Sequence, residues 1–208
     1  MMCRLVSRLS VITLGAVLLM LGGCTSTPST TFYVLTPLPS ADTAKPDAAA
    51  ARGLVVGVGP VTLPTYLDRP QIVMRASRAK LNLGEFDQWA ASLQTNVSSV
   101  LAENLAFLIP TDHIVVFPWP RSTTVDYQVR VDVARFDGEM GGEVILTARW
   151  RIVGTDGKER MIQKSRFSAS AGAQNYEATV NAMSRMLEEL SRDIAATIRI
   201  IAPQTSRR

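Results

Sequence analysis

Strict alternation of apolar and polar residues is clearest in the second half of the chain, where it predicts an antiparallel meander of three strands. A glycine-rich turn at 138–142 separates the first two strands, and the sequence at 154–157 is typical of a hairpin turn. The third strand is predicted over 160–170. The inward positions of the first two strands are Tyr127, Val129, Val131, Val133, Val144, Leu146, Ala148, Trp150 and Ile152.

Shorter apolar runs predict the remaining strands, at 32–35, 54–58, 71–75, 80–83 and 114–117. The run at 54–58 is expected to end at Gly59-Pro60, and Gly84 is expected to close the hairpin between 71–75 and 80–83. Residues 37–52 are rich in proline and alanine, which indicates an exposed loop in which 48–51 could add a helical turn.

Helical periodicity appears twice. Asp87 is a plausible N-cap for a helix over 88–108, and a second helix is predicted over 174–201. Because hairpins join most of the strands, the sequence predicts an α+β fold, with a mixed, largely antiparallel sheet and two main helices packed on one face. The two apolar stripes are Trp89, Leu93, Val97, Val100, Leu101 and Leu105, then Val180, Met183, Leu187, Leu190, Ile194 and Ile198.

The first 27 residues have the order of a signal peptide. Arg4 and Arg8 form a basic start, residues 9–21 form an apolar run broken only by Ser10, Thr13 and Gly15, and the run ends in Leu21-Gly22-Gly23-Cys24. That ending resembles the bacterial lipobox, in which the cysteine thiol is lipidated and the chain is cut just before it. An ordinary secretory signal with a chance cysteine is the alternative. Lipidation of Cys24 would attach the protein to a membrane, because acyl chains anchor a protein without a protein span.

This N-terminal signal also sets the boundaries that we expect for the other segments of the chain. We expect a signal peptide at 1–23, a lipidated tether at 24–31, a single periplasmic domain at 32–203 and a basic tail at 204–208. Thr25, rather than an aspartate, follows the cysteine, which by resemblance to lipoproteins of two-membrane bacteria favours the outer membrane. Removing 23 residues leaves 185, enough for one well-buried domain.

Charge and cysteine content exclude several classes of function. Without Arg4 and Arg8 the chain has 20 basic and 18 acidic residues, and no basic run is interleaved with aromatics, so nucleic-acid binding is not expected. Cys3 leaves with the signal and Cys24 is lipidated, which removes disulfides and thiolate metal sites. No cofactor is indicated, since Gly57-Val58-Gly59-Pro60 lacks the third glycine of a nucleotide-binding loop.

His113 is the only histidine, and it is better explained as a loop or strand-edge residue than as a metal ligand or catalytic base. No serine lies in a Gly-x-Ser-x-Gly motif, and a Ser/His/Asp triad would have to use His113. The sequence therefore indicates a protein that is not an enzyme.

Five short motifs follow one another along the chain: Phe32-Tyr33-x-Leu35, then Leu67-Asp68-Arg69-Pro70-Gln71-Ile72-Val73-x-Arg75, Trp89-Ala90-x-x-Leu93 at a helix start, Phe136-x-Gly138 and Trp150. In order and spacing they resemble those of the PqiC/YmbA-type auxiliary lipoproteins of ABC transporters, and the resemblance covers nearly all of 31–201. One departure is Ser92, where that family often has proline in the first helical turn.

The resemblance implies a periplasmic lipoprotein on the outer membrane. Its partner would be an MCE-domain protein that reaches across from the inner membrane, and the assembly would move lipids or maintain membrane integrity. Because MCE proteins form rings, a homo-oligomer is also implied. Two other classes remain open: a lipoprotein that carries a lipid or other apolar ligand in an internal pocket, and a periplasmic enzyme using His113 and Asp68.

Several exposed-loop residues are candidates for partner binding. Asp68 and Arg69 lie on a proline-bracketed loop, where an alternative is a structural turn in which Arg69 pairs with Asp68 or with a carbonyl. Tyr66, with Leu67, could be an exposed apolar contact. Arg75 forms a basic hairpin with Arg78 and Lys80 that could touch an acidic partner or lipid headgroups, or could be a solvated face. Trp119, between two prolines, could contact a partner or pack internally, whereas Trp89 and Trp150 are expected in the core.

Overall fold

Within residues 28–39, 53–109, 111 and 113–202, which the computed structural model describes, the chain forms eight strands, two α-helices and one 3-10 turn at Thr65–Leu67. The helices are α1 (Leu93–Leu108) and α2 (Tyr176–Ile201). The strands are β1 (Thr31–Tyr33), β2 (Val55–Thr62), β3 (Gln71–Arg75), β4 (Leu81–Trp89), β5 (His113–Val116), β6 (Tyr127–Gly138), β7 (Glu143–Gly154) and β8 (Glu159–Ser170).

Five strands form the main sheet, in the order β5-β2-β6-β7-β8. The predicted meander is confirmed, because β6, β7 and β8 pair antiparallel through the two expected turns. β2 lies parallel to both β5 and β6, which makes the sheet mixed. The predicted α+β class is therefore confirmed, and both helices pack on one face of this sheet.

Three strands form a second, smaller sheet, in the order β1-β4-β3. The sequence suggested a single sheet, and the division arises because β4 pairs with β3 on one side and with β1 on the other, rather than with the meander. β1 adds parallel to β4, with Tyr33 opposite Trp89. The small sheet contacts the main one through β3 and β6.

The start of the first helix differs from the prediction. α1 begins at Leu93 rather than Gln88, and its N-cap is Ser92, whose hydroxyl accepts from the Thr95 N–H at 3.2 Å. Trp89 is buried as expected, but it lies at the end of β4, not in the helix. Asp87 is likewise a strand residue, and its carboxylate accepts from the Tyr33 hydroxyl at 2.8 Å instead of capping a helix.

β2 continues through Gly59-Pro60 to Thr62, although the proline was expected to end the strand. A register shift against β6 between Val58 and Val61 accommodates the proline, since the bulged residues need no ladder donor. β4 likewise passes through Gly84, which was expected to close the hairpin. Elsewhere the expected strands differ from the observed ones by a few residues at their ends.

The core lies between the main sheet and the two helices. All six residues of the α2 stripe are buried there, and so are the inward positions of β7. Trp150, fully buried, donates its indole N–H to Ser165 Oγ at 3.1 Å, so its polar atom is not left unsatisfied. The core predictions for Trp89 and Trp150 are therefore confirmed.

After β1, the chain crosses the outer side of the helices. Leu35 and Leu38 are buried in the hydrophobic core cluster, and two helix side chains hold the backbone in place. Asn104, fully buried, accepts from the Leu38 N–H at 2.8 Å, and Ser184 accepts from the Thr36 N–H at 3.0 Å. The segment 34–39 is therefore a fixed part of the domain.

Several expectations lie outside the described residues. These are the signal peptide, the Cys24 lipidation site, the first half of the tether, most of the loop at 37–52 and the basic tail at 204–208. The division into 1–23, 24–31, 32–203 and 204–208 stays a prediction. Among the helices that are described, none has the length and apolar character needed to cross a membrane.

Candidate interaction site around Asp137

A buried carboxylate organises the region that contains most of the predicted site residues. Asp137 lies near the end of β6, where a bulge between Val133 and Arg135 changes the strand register. Its side chain is fully inaccessible to solvent. A buried charge is tolerated only when it is paired and hydrogen-bonded, so its partners define the site.

Three side chains from separate parts of the chain hold this carboxylate. Arg75, at the end of β3, donates from Nε to Oδ1 at 2.8 Å and from Nη2 to Oδ2 at 2.7 Å. Tyr66, in the 3-10 turn, donates its hydroxyl to Oδ2 at 2.7 Å. Arg135 donates from Nε to Oδ1 at 2.8 Å. We call these four residues, Asp137, Arg75, Tyr66 and Arg135, the Asp137 cluster.

The electrostatics of the cluster are those of a permanent ion pair. Burial tends to raise the pKa of Asp137, but the hydrogen bonds from Arg75, Tyr66 and Arg135 outweigh it and hold that pKa below its ordinary value. Burial, with the bond to Asp137, raises the pKa of Tyr66 to about 12. The pKa of Arg75 is also raised, chiefly by its hydrogen bond to Asp137.

This arrangement favours structural rather than acid–base chemistry. Each oxygen of Asp137 already accepts two hydrogen bonds, so the carboxylate has no free direction from which to take a proton. What the cluster does is join β3, β6 and the 3-10 turn. It therefore fixes the loop that follows Tyr66.

That loop presents Asp68 and Arg69, and both are exposed. Its backbone is a tight turn, with the Asp68 N–H donating to Thr65 O at 3.1 Å and the Arg69 N–H to Leu67 O at 2.9 Å. Within the described residues, no ion pair joins Arg69 to Asp68. Both charges therefore face solvent from a backbone held by the buried Asp137.

Tyr66 and Leu67 do not form the exposed apolar contact that the sequence suggested. Leu67 is buried in the core, and Tyr66 is half-buried with its hydroxyl committed to Asp137. Arg75 is likewise not a free hairpin cation, since it bonds Asp137 and also donates from Nη1 to the Arg78 carbonyl at 3.2 Å. The structure thus brings Tyr66 and Arg75 together on Asp137, and Tyr66 lies two residues before Asp68 in the chain.

Trp119 lies elsewhere. Its ring packs against Gly57, near the start of β2. Gly57 lies opposite Gln128 of β6 in the sheet. Gln128 and Asp137 are nine residues apart on one strand, which corresponds to about 30 Å. Trp119 is therefore not part of the Asp137 cluster.

His113 is the first residue of β5 and is exposed, as expected of a strand-edge histidine. Its backbone N–H donates to Thr111 Oγ1 at 3.1 Å. Across the described part of the chain, no group of three or more His, Cys, Asp or Glu side chains is arranged to hold a metal ion.

Two members of the cluster, Asp137 and Arg135, were missed by the sequence analysis. Asp137 occupies the unspecified position of Phe136-x-Gly138. The usable signal was an aspartate at the end of a strand, between an inward-facing phenylalanine and a glycine. The bulge between Val133 and Arg135 is not visible in the alternation of apolar and polar residues, so the burial of Asp137 could not be predicted.

Comparison with known proteins then identifies the family. A family model described as "ABC-type transport auxiliary lipoprotein component" matches residues 33–195. The chain belongs to this family. The match begins at Tyr33 and includes both the Asp137 cluster and the Asp68–Arg69 loop, so the auxiliary-lipoprotein resemblance inferred from the motifs is confirmed.

Solved structures agree with the fold. One, described only as an uncharacterized protein, is 19% identical and superposes with a TM-score of 0.67, covering 82% of this chain and 99% of the other. The protein XCC0632 from Xanthomonas campestris, a DUF330 protein, is 15% identical with a TM-score of 0.64, covering 82% and 95%. Among curated proteins, no sequence matches this chain.

Proposed function

We propose that this protein is the non-catalytic docking subunit of an MCE-type, Pqi-like ABC lipid-transport and membrane-integrity system. The observation that carries the proposal is the match of residues 33–195 to auxiliary lipoproteins of ABC transporters. A family of transport auxiliaries supports a transporter partner and a membrane-associated location. The MCE-domain identity of that partner follows only from the resemblance of the motifs.

The anchor in this proposal is Cys24, lipidated after cleavage at Leu21-Gly22-Gly23-Cys24. A lipoprotein family supports lipid attachment, and Thr25 favours the periplasmic face of the outer membrane. Two or three acyl chains give stable anchoring without a protein span. The subunit would therefore meet a partner that comes from the inner membrane.

The docking surface that the geometry supports best is the Asp68–Arg69 loop. Both side chains are exposed, and the loop follows Tyr66, whose hydroxyl is bonded to Asp137, the carboxylate that Arg75 also holds. A loop that is already ordered loses little conformational entropy on binding, and complementary charges set orientation. In this proposal Asp68 and Arg69 touch the partner, whereas Tyr66 and Arg75 position them.

A non-catalytic role fits the chemistry of the same residues. Asp137 is fully buried, its hydrogen bonds are saturated and its pKa is lowered, which suits an ion pair rather than a general acid or base. His113 is exposed on β5, whereas Asp137 is buried on β6, so the two residues lie on different strands. The alternative of a lipid carrier needs a hollow interior, but the inward side chains of both helices and the main sheet form one packed cluster.

A ring-shaped partner also implies that this subunit forms a homo-oligomer of matching symmetry. In such a ring, each copy would present its Asp68–Arg69 loop to one partner protomer. Sedimentation of the lipidated protein in mild detergent measures that oligomeric state, and a monomer at all concentrations would contradict the symmetric arrangement.

Site-specific photocrosslinking tests the docking role. A photoreactive residue replaces Arg69 in the full-length lipidated protein, which is crosslinked in its native membranes and analysed by mass spectrometry. We expect an MCE-domain protein to be captured. The matched control carries the same residue at Glu189, exposed on α2, and should not capture it.

The outcomes separate the parts of the proposal. Capture from position 189 but not from 69 would move the docking surface to the helices. Absence of any MCE-domain protein from both crosslinked and co-purified material would overturn the docking function itself. Recovery of the lipoprotein alone with lipid inside it would favour the carrier.

A further inference from the structure

The side of the main sheet opposite the helices carries an excess of positive charge. Along β6, β7 and β8 the core-facing residues alternate with outward ones, and register partners share a face. Four exposed cations lie on this outward side: Arg130 on β6, Arg149 on β7, and Lys164 and Arg166 on β8. We call these four residues the basic face.

The register places like charges directly opposite one another. Arg149 pairs with Lys164 across β7 and β8, and Arg166 follows two residues further along β8. Like charges at such positions destabilise a sheet unless something neutralises them. Within the described residues, the ion pairs include none from the basic face to a carboxylate.

Carboxylates on the same side are mostly used by other cations. Asp132, opposite Arg149, accepts from Arg151 at 2.7 Å, and Arg151 also pairs with Glu159 at 3.3 Å. Asp137 is held by Arg75 and Arg135. Glu143 lies at the far end of β7. The four cations of the basic face therefore leave a net positive surface.

Two aromatic side chains border this surface. Phe117 and Trp119 pack edge to face with ring centroids 5.6 Å apart. They lie where Gly57 and Gly59 leave room on β2, because a Cβ at those glycines would stand 2.6 Å from Trp119 and 2.8 Å from Phe117. Phe117 remains 49% exposed. A groove of about 500 Å³ joins the aromatic pair to the basic face, and its lining includes Trp119, Gln128, Arg130 and Glu159.

We propose that the basic face, together with Phe117 and Trp119, rests on the surface of an anionic phospholipid bilayer. Exposed lysines and arginines attract anionic headgroups, and aromatic rings settle at the headgroup level. The proposal rests on the lipid anchor proposed above but not on the transporter partner. It assigns a membrane-facing side to the domain that is separate from the Asp68–Arg69 loop.

The length of the tether favours a bilayer over an acidic protein as the occupant. Six residues separate Cys24 from Thr31, where β1 begins, and they span about 20–25 Å when fully extended. A lipid anchor on so short a tether holds the domain permanently beside the headgroups. Weak contacts are then effective, because the local concentration of the surface is high.

Quenching of Trp119 by brominated lipid tests this orientation. Trp89 and Trp150 are buried, so Trp119 is the tryptophan that a bilayer can reach. The lipidated full chain is reconstituted in vesicles of brominated phosphatidylcholine with about one third phosphatidylglycerol. We expect strong quenching there, weak quenching in phosphatidylcholine alone, and a decrease as salt screens the charges.

The decisive variant removes three cations of the basic face, R149Q/K164Q/R166Q. Its quenching in the anionic vesicles should decrease to the level seen with phosphatidylcholine alone. The matched control R185Q/R192Q/R199Q removes the same charge from α2, on the other side of the sheet, and should leave the quenching unchanged. Circular dichroism and thermal unfolding verify that both variants are folded.

Each outcome is informative. No difference between anionic and neutral vesicles, or equal quenching of the decisive variant and the wild type, would overturn the membrane contact. Flotation of the vesicles with the protein verifies the lipid anchor independently, so failure of the anchor is distinguishable from failure of the contact. If Lys164 becomes protected from solvent only when an acidic protein is added, and not by anionic vesicles, the basic face binds that protein instead of the bilayer.

Discussion

Arg75 holds both carboxylate oxygens of Asp137, a residue 62 positions later in the chain, through hydrogen bonds of 2.8 and 2.7 Å. This forked pair joins the small sheet to the end of β6 in the main sheet. Tyr66 and Arg135 complete the hydrogen bonding of the same carboxylate. Tyr66 lies two residues before Asp68. Because Tyr66 bonds the same carboxylate as Arg75, the geometry of the proposed docking loop depends on this contact.

Asp137→Ala should destabilise the domain by about 3 kcal/mol, since it leaves two guanidinium groups without their buried counter-charge. Urea unfolding followed by circular dichroism measures the change. The matched control is Asp132→Ala, which breaks the half-exposed pair with Arg151 and should cost about 1 kcal/mol or less. Equal losses of unfolding free energy for the two variants would show that the buried Asp137 cluster stabilises the domain no more than a half-exposed ion pair does.

Acid should weaken the contribution of Asp137. The pKa of this carboxyl is lower in the folded protein than its unfolded value near 3.8. Its contribution to stability is therefore complete above that value, and it is lost as pH falls through the folded pKa. The difference in unfolding free energy between wild type and Asp137→Asn should be constant from pH 5 to 7 and shrink below about pH 4. A difference that grows in acid would contradict the lowered pKa.

Asn104→Ala should release the segment that crosses the helices. The change removes the acceptor for the buried Leu38 N–H and the donor to Ser191 Oγ. We expect a loss of about 1–3 kcal/mol, because a buried polar group is left without a partner. Limited proteolysis should cut within 34–39 faster than in the wild type. The exposed residue Asn181, changed to alanine, serves as the control and should leave both measurements unchanged.

Gly57→Ala should displace Trp119, since the new Cβ would stand 2.6 Å from the indole ring. Overpacking of this kind costs about 1–3 kcal/mol. Acrylamide should quench the tryptophan emission more strongly than in the wild type. In a Trp119→Ala background, Gly57→Ala should lower the unfolding free energy much less. An unchanged loss would show that the new Cβ does not clash with the Trp119 ring.

Alternation and turn chemistry were enough to predict the meander. Apolar residues alternate with period two from Tyr127 to Val133 and again from Val144 to Ile152, and glycine-rich turns separate the strands, so local preference and packing agree. The α2 stripe from Val180 to Ile198 was predictable for the same reason, and all of it is buried. These elements carry their own pattern because each has one face in the core.

The start of α1 was decided by long-range pairing. Trp89 and Leu93 are four residues apart and match a helical stripe, which is why the sequence favoured a helix there. In the fold, the Trp89 N–H donates to Pro70 O at 2.7 Å and the Ala90 N–H to Tyr33 O at 2.9 Å. The small sheet uses these backbone donors, so the helix begins only after Ser92.

The sequence by itself determined the class of fold, most of the core and the auxiliary-lipoprotein family, because these depend on periodicity and on the order of local motifs. Only the tertiary structure decided that Asp137 is buried, that Tyr66 and Arg75 both bond it, and that Arg149 faces Lys164. Such contacts depend on strand register and on one bulge in β6, and neither is encoded in the spacing of apolar residues along a single strand.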